Sequence, residues 1–154
     1  MTWIKPSFRW MMYRSGWGRK AGQERVLAVR ISRAGFEWAL GRACLSHYDR
    51  ERHGSAEAWK ALLKQSPVRI QWDPERSTQQ QELPHRAVQI GLTGEAVRRY
   101  VDEWIIGVTD VTALAHETHA LVRTGRVADA DALIPAETPY PLAEALRARI
   151  GGDG

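Results

Sequence analysis

A chain of 154 residues has room for one domain with a sizeable core and little more, because a chain of about 150 residues hides roughly two-thirds of its unfolded surface. Hydrophobic content of 44% and charged content of 26% exclude a disordered chain, and no apolar run approaches the 18 or so residues that a membrane helix needs. The net charge of +4 is unevenly spread: residues 1–76 hold 15 Lys and Arg against 7 Asp and Glu, residues 77–154 hold 7 against 11.

A basic front half suits a phosphate-bearing or polyanionic partner. A plain composition effect accounts for it equally, since 18 of the 22 cations are Arg, as an Ala- and Arg-rich coding bias produces. Lys5, Pro6 and Arg9 interrupt any apolar stretch near the start, so no signal peptide is read there. The single cysteine, Cys44, has no internal disulfide partner, which makes a reducing cytoplasm the expected compartment.

The first twenty residues, "MTWIKPSFRWMMYRSGWGRK", hold five aromatics, five cations and no carboxylate. Pro6 and Ser7 suit a helix start, and Gly16 and Gly18 its end. On a wheel over residues 8–17, Phe8, Met11, Met12 and Ser15 fall on one side, and Arg9, Trp10, Tyr13, Arg14 and Trp17 on the other. "ERVLAVRI" (24–31) has the near-continuous apolar run of a buried strand. Ser32 then caps a helix with Phe36, Ala39, Leu40 and Ala43 on one face. Residues 45–54 read as a loop, and Ser55 as the cap of a helix that must stop before Pro67.

"VRIQW" (68–72) alternates, with Val68, Ile70 and Trp72 against Arg69 and Gln71, which predicts a half-buried strand. "DPERS" (73–77) reads as a turn and "TQQQEL" (78–83) as a loop. "RAVQIG" (86–91) predicts a strand, followed by a helix that Thr93 caps and that carries Val97, Tyr100, Val101 and Trp104. "IIGVTD" returns as a strand, a helix starts at Asp110 or Thr112 and closes at Gly125, and two short helices follow among Pro135, Pro139 and Pro141. The order lacks a strict βαβ rhythm. The expectation is α+β: one domain over residues 1–150, a mixed and mostly antiparallel sheet of four or more strands packed with helices, and a flexible tail at 151–154.

Three motifs are set aside. "GWGRKAG" (16–22) has a helix before it and a strand after, the reverse of a phosphate loop, so it reads as a helix end and turn. His116 and His119 stand three apart, not at the i, i+4 spacing of a zincin helix, and read as a solvated face with no metal site. Cys44 and His47 lack a third group to support nucleophilic chemistry.

Two stretches remain as candidate sites. Rings stack on Trp and Tyr while Arg and Lys hold phosphates, so Lys5, Ser7, Arg9, Trp10, Arg14 and Trp17 suit a nucleotide or nucleic acid. The same tryptophans serve equally as core, and the choice turns on whether that flank faces solvent. Arg69 and Gln71 share a strand face, with Asp73, Glu75 and Arg76 beyond them. A carboxylate there can act as general acid or base, or form only a charged turn. Gln89 within "AVQIG" needs hydrogen bonds, from the fold or from a ligand. A sticky first helix also suits a non-enzymatic module that docks a protein or its own copy.

The strings "TWIKPSF", "WMMYRSGW", "GQERVLAVRI", "SPVRIQWDPER" and "QIGLTGEAVRRYVDEWI" together resemble the bacterial family of domain of unknown function 4291, in order over nearly all of residues 2–150. The resemblance implies an upstream segment with a Tyr-rich strand and a helix, so the chain is expected to begin partway through the domain. That leaves a sheet edge open to pair with another chain. The upstream segment is faintly similar to ADP-ribosyltransferase-like folds. By that analogy NAD is the cofactor, Lys5, Ser7, Arg14 and Trp17 hold it, and Glu75 or Gln89 stands near the glycosidic bond.

Overall fold

The computed structural model describes residues 1–151. In chain order the first half runs β1 (Thr2–Ile4), α1 (Phe8–Ser15), β2 (Leu27–Ile31), α2 (Arg33–Gly41), β3 (Ala43–Leu45), α3 (Arg50–His53) and α4 (Ala56–Gln65). The second half runs β4 (Val68–Arg76), β5 (Glu82–Leu92), α5 (Glu95–Arg99), a π-helical turn (Tyr100–Trp104), β6 (Ile105–Asp110), α6 (Thr112–Arg123), α7 (Val127–Leu133) and α8 (Glu144–Ile150). The fold is α+β, as expected. Of the expected tail, Gly151 ends α8 in the left-handed conformation, and residues 152–154 lie outside the described residues.

β4 and β5 form a long antiparallel hairpin at the centre of a four-stranded mixed sheet ordered β1-β5-β4-β3. β1 adds antiparallel to β5, and β3 adds parallel to β4. Val68 and Ile70 of β4, with Ile90 and Leu92 of β5, have no exposed surface. Leu40 of α2, Ala96 of α5, Trp104 and Ile150 of α8 cover this first face. Gly35 of α2 is required there, because a Cβ would overlap the Trp104 indole. A second cluster of Met12, Trp17, Val26 and Ala115 joins α1 to α6.

β2 and β6 form a separate two-stranded ribbon. The expectation of a buried strand here is corrected: Leu27 is 53% exposed, and across the ribbon Ile106 and Val108 are 63% and 55% exposed. An apolar run alone does not say whether anything lies on top of it.

Other differences have local causes. β1 and β3 are three residues each, too short to show a period, and Ala43 belongs to β3 instead of the α2 face. Within 45–54, Asp49 accepts from Glu51 N and Arg52 N and so starts α3. "DPERS" is not a turn: β4 runs through Arg76 with a register shift between Pro74 and Arg76, where a proline is tolerated. The reversal comes at Ser77–Gln81, where Ser77 N donates to Gln81 O and Gln80 takes φ +66°. Thr93 does not cap a helix with its side chain; its hydroxyl donates to Pro67 O, and α5 starts from Gly94.

Candidate functional site

Alternation along the strands turns one set of side chains away from the helices on the first face. Register places Cys44, Arg69, Gly91 and Trp3 in one row across all four strands, and Gln71 opposite Gln89 in the next. Asp73, opposite Ala87, continues the same face. This second face gathers Arg69, Gln71 and Gln89 from the sequence candidates, and α1 brings Lys5, Ser7, Trp10 and Glu75 together at its end.

The α1 end is closed. Ser7 is its N-cap: the Ser7 hydroxyl accepts from Trp10 N at 3.1 Å and donates to Glu75 Oε1 at 2.8 Å. Glu75 also accepts from Arg76 N at 2.7 Å and is only 6% exposed. The Lys5 side chain is 1% exposed; its ammonium donates to Asp73 Oδ2 at 2.8 Å and to Ala87 O at 2.9 Å. The same ammonium sits 4.3 Å from the centre of the Trp10 ring. Burial lowers the Lys5 pKa, against the raising effect of Asp73 and Glu75.

The remaining cations of the first helix are spoken for or stand apart. Arg9 Nε donates to Thr78 Oγ1 at 3.1 Å, and its Nη2 pairs with Asp131 at 3.4 Å; the Thr78 hydroxyl in turn donates to Asp131. Arg76 lies over the Tyr13 ring at 4.0 Å and donates to Glu82 and to Gln80 O. Arg14 is exposed, with no side-chain partner. The solvent-facing ring-and-guanidinium flank is therefore corrected: Trp10 and Trp17 are both buried. α1 ends at Ser15, Gly16 turns left-handed, and Trp17 itself takes φ +61°, so it leaves the wheel. Its ring stacks on His119 of α6 at 5.2 Å and 3°. His116 Nε2, on the same helix, is buried without a partner. Burial, Arg19, Arg123 and His116 lower the His119 pKa.

The central rows are half-buried, with Trp3 their exposed member. Arg69 is half-buried, its guanidinium has no hydrogen-bond partner among the described residues, and its Nε is buried. Gln71 donates its amide to Asp73 Oδ1 at 2.8 Å, which leaves its Oε1 as an acceptor. Gln89 is half-buried with no partner for its amide. Trp3 is 40% exposed and lies against Gly91, where a Cβ would come within 2.8 Å of the indole. Beside Arg69, Cys44 is buried, and desolvation raises its thiol pKa although Arg149 and Arg69 pull it down. Arg69, Gln71, Gln89 and Trp3 together offer one guanidinium, two amides and one indole face.

Trp3 was not among the sequence candidates. Its signal was the pairing of a Trp in β1 with a Gly in β5, which becomes visible only once those strands are in register.

Helices packed on one face of a mixed sheet, with a half-buried polar face behind it that α1 closes at one end, define the class as a small α+β domain. The family model described as domain of unknown function (DUF4291) matches residues 1–140, and the chain belongs to that family. No curated protein and no solved structure matches the chain. Among the described residues, no helix is long and apolar enough to cross a membrane.

Proposed function

We propose that the chain binds an anionic, ring-bearing ligand, a nucleotide or nucleic acid, on the second face of its four-stranded sheet. One observation carries this: the Arg69 guanidinium stands without a partner, its Nε buried, one strand away from Gly91, on which the half-open Trp3 ring rests. An unpartnered buried donor is costly to a fold, at about 1–3 kcal/mol, and an anion relieves that cost. Gln71 and Gln89 supply polar contacts one row away. Of the two polar groups weighed near a glycosidic bond, Glu75 is already taken up by Ser7 and the Arg76 amide.

Titration with NAD, ATP and a short oligonucleotide, followed by tryptophan emission at two salt concentrations, tests the reading. Quenching by at least one of them, lost in Arg69→Ala, is expected. No quenching by any ligand removes the proposal.

A second reading, a module that associates with its own copy or a protein, is favoured by the ribbon. Leu27, Ile106 and Val108 are more than half exposed on strands that pair with no others. Light scattering behind size exclusion is expected to give more than the monomer mass; a strict monomer across concentrations sinks this reading.

A further inference from the structure

We infer that the ligand of the second face is a single adenine mononucleotide and not a nucleic-acid strand; this rests on the reading above. Surfaces that hold a single strand repeat two features along the backbone: rings for successive bases, and a track of cations for successive phosphates. Among the described residues, the central rows of this face, where β4 and β5 pair, have one of each. Trp10 is buried with the Lys5 ammonium on its ring, the exposed Tyr13 ring is already faced by Arg76, and Trp3 is left over the central rows. Of its cations, Lys5 is held by Asp73, Arg9 by Thr78 and Asp131, and Arg76 by Glu82. Arg69 is left on the central strands, with Arg149 of α8 beyond Cys44 at the β3 edge, and one planar guanidinium matches one phosphate in a two-bond fork.

The amides select the base. Guanine shows two acceptors, O6 and N7, and is read by a guanidinium, which here is the group left for phosphate. Adenine shows N6 as donor and N7 as acceptor, and the amide that matches both is that of Gln or Asn. Gln89 holds such an amide unengaged, opposite Gln71 and one row from Trp3. With phosphate on Arg69 and the ring on Trp3, Gln89 is the base-reading residue.

Calorimetric titration of the whole chain with AMP, GMP, ribose 5-phosphate and an eight-nucleotide oligoadenylate tests this, with wild type and Gln89→Ala run in parallel. The expected result is AMP about tenfold tighter than GMP, as one good bidentate base contact provides, with ribose 5-phosphate weaker than both for want of a ring to stack on Trp3. The oligoadenylate is expected to bind no tighter per site than AMP. In Gln89→Ala, AMP falls to the level of GMP, both staying above ribose 5-phosphate because the base keeps its stack on Trp3, and ribose 5-phosphate binding is unchanged. Equal affinities for AMP and GMP, or an affinity that grows with oligonucleotide length and falls steeply with salt, overturn the inference and leave the anion site standing. Binding by none of the four overturns the inference together with the site. The AMP to GMP ratio of the wild type decides the matter even if the variant folds poorly.

Discussion

Lys5 is a charged side chain that the fold hides almost completely, and it shows how the polar cluster holds together. Its ammonium meets the Asp73 carboxylate, the Ala87 carbonyl and the Trp10 ring, so its three protons have partners although burial opposes the charge. Removing Lys5 leaves the largely buried Asp73 charge with the Gln71 amide alone. Lys5→Ala is therefore expected to cost about 3–5 kcal/mol in urea denaturation. A loss under about 1 kcal/mol would mean that Asp73 finds water, contrary to the packing described. Gly91 acts at the same scale in the opposite sense, by what it lacks. Gly91→Ala puts a methyl within 2.8 Å of the Trp3 indole, so the ring must move away. The expected outcome is a shift of tryptophan emission towards that of a solvated ring, with a loss of about 1–3 kcal/mol from overpacking. An unchanged spectrum would contradict the Trp3 placement.

At the scale of elements, α1 is fastened at both ends, by Ser7 to β4 and by Trp17 to α6. Ser7→Ala removes a cap whose loss alone costs about 1 kcal/mol, and it also takes a hydrogen bond from the buried Glu75. The α6 fastening is sensitive to pH. His119 titrates below the ordinary histidine value of 6.5 in the folded chain, first because of burial and then because of Arg19, Arg123 and His116. The unfolded chain therefore takes up a proton as pH falls through 6.5 while the folded chain resists it, and stability declines towards acid. The melting midpoint is expected to fall between pH 7 and pH 5, and His119→Gln to flatten that fall. A profile identical in wild type and variant would show that the stacked ring does not report on protons.

β4 shows how much of an element was legible. The alternation over 68–72 predicted its first half, because period two depends only on neighbours. Its second half was misread as a turn, since Asp73 bonds to Lys5, 68 positions away, instead of to its own backbone. Trp10 failed for the same reason: it is buried with the Lys5 ammonium on its ring, and helical spacing carries no trace of that.

For the whole molecule, the two sheets behave differently. The four-stranded sheet has a core on one face and half-buried polar groups on the other, whereas the ribbon presents Ile106 and Val108 to solvent. An exposed side chain adds little to folding, so Ile106→Lys is expected to change stability by no more than about 0.5 kcal/mol. The same substitution is expected to reduce any concentration-dependent rise in mass by light scattering. Unaltered self-association in that variant would move the contact elsewhere on the surface.

The sequence by itself determined what depends on residues a few positions apart: the α+β class, the caps at Ser7, Ser32 and Ser55, the alternation of Val68 to Trp72, and the words that mark the family. Tertiary structure alone decided which charges were already satisfied. Lys5 meets Asp73 across 68 positions and Arg9 meets Asp131 across 122, and the two pairs take both cations out of play. Arg69 looked no different from them in the sequence and is left unpaired among the described residues, half-buried on the second face. Pairing and burial depend on distance in space, and local patterning does not encode distance between strands and helices so far apart along the chain.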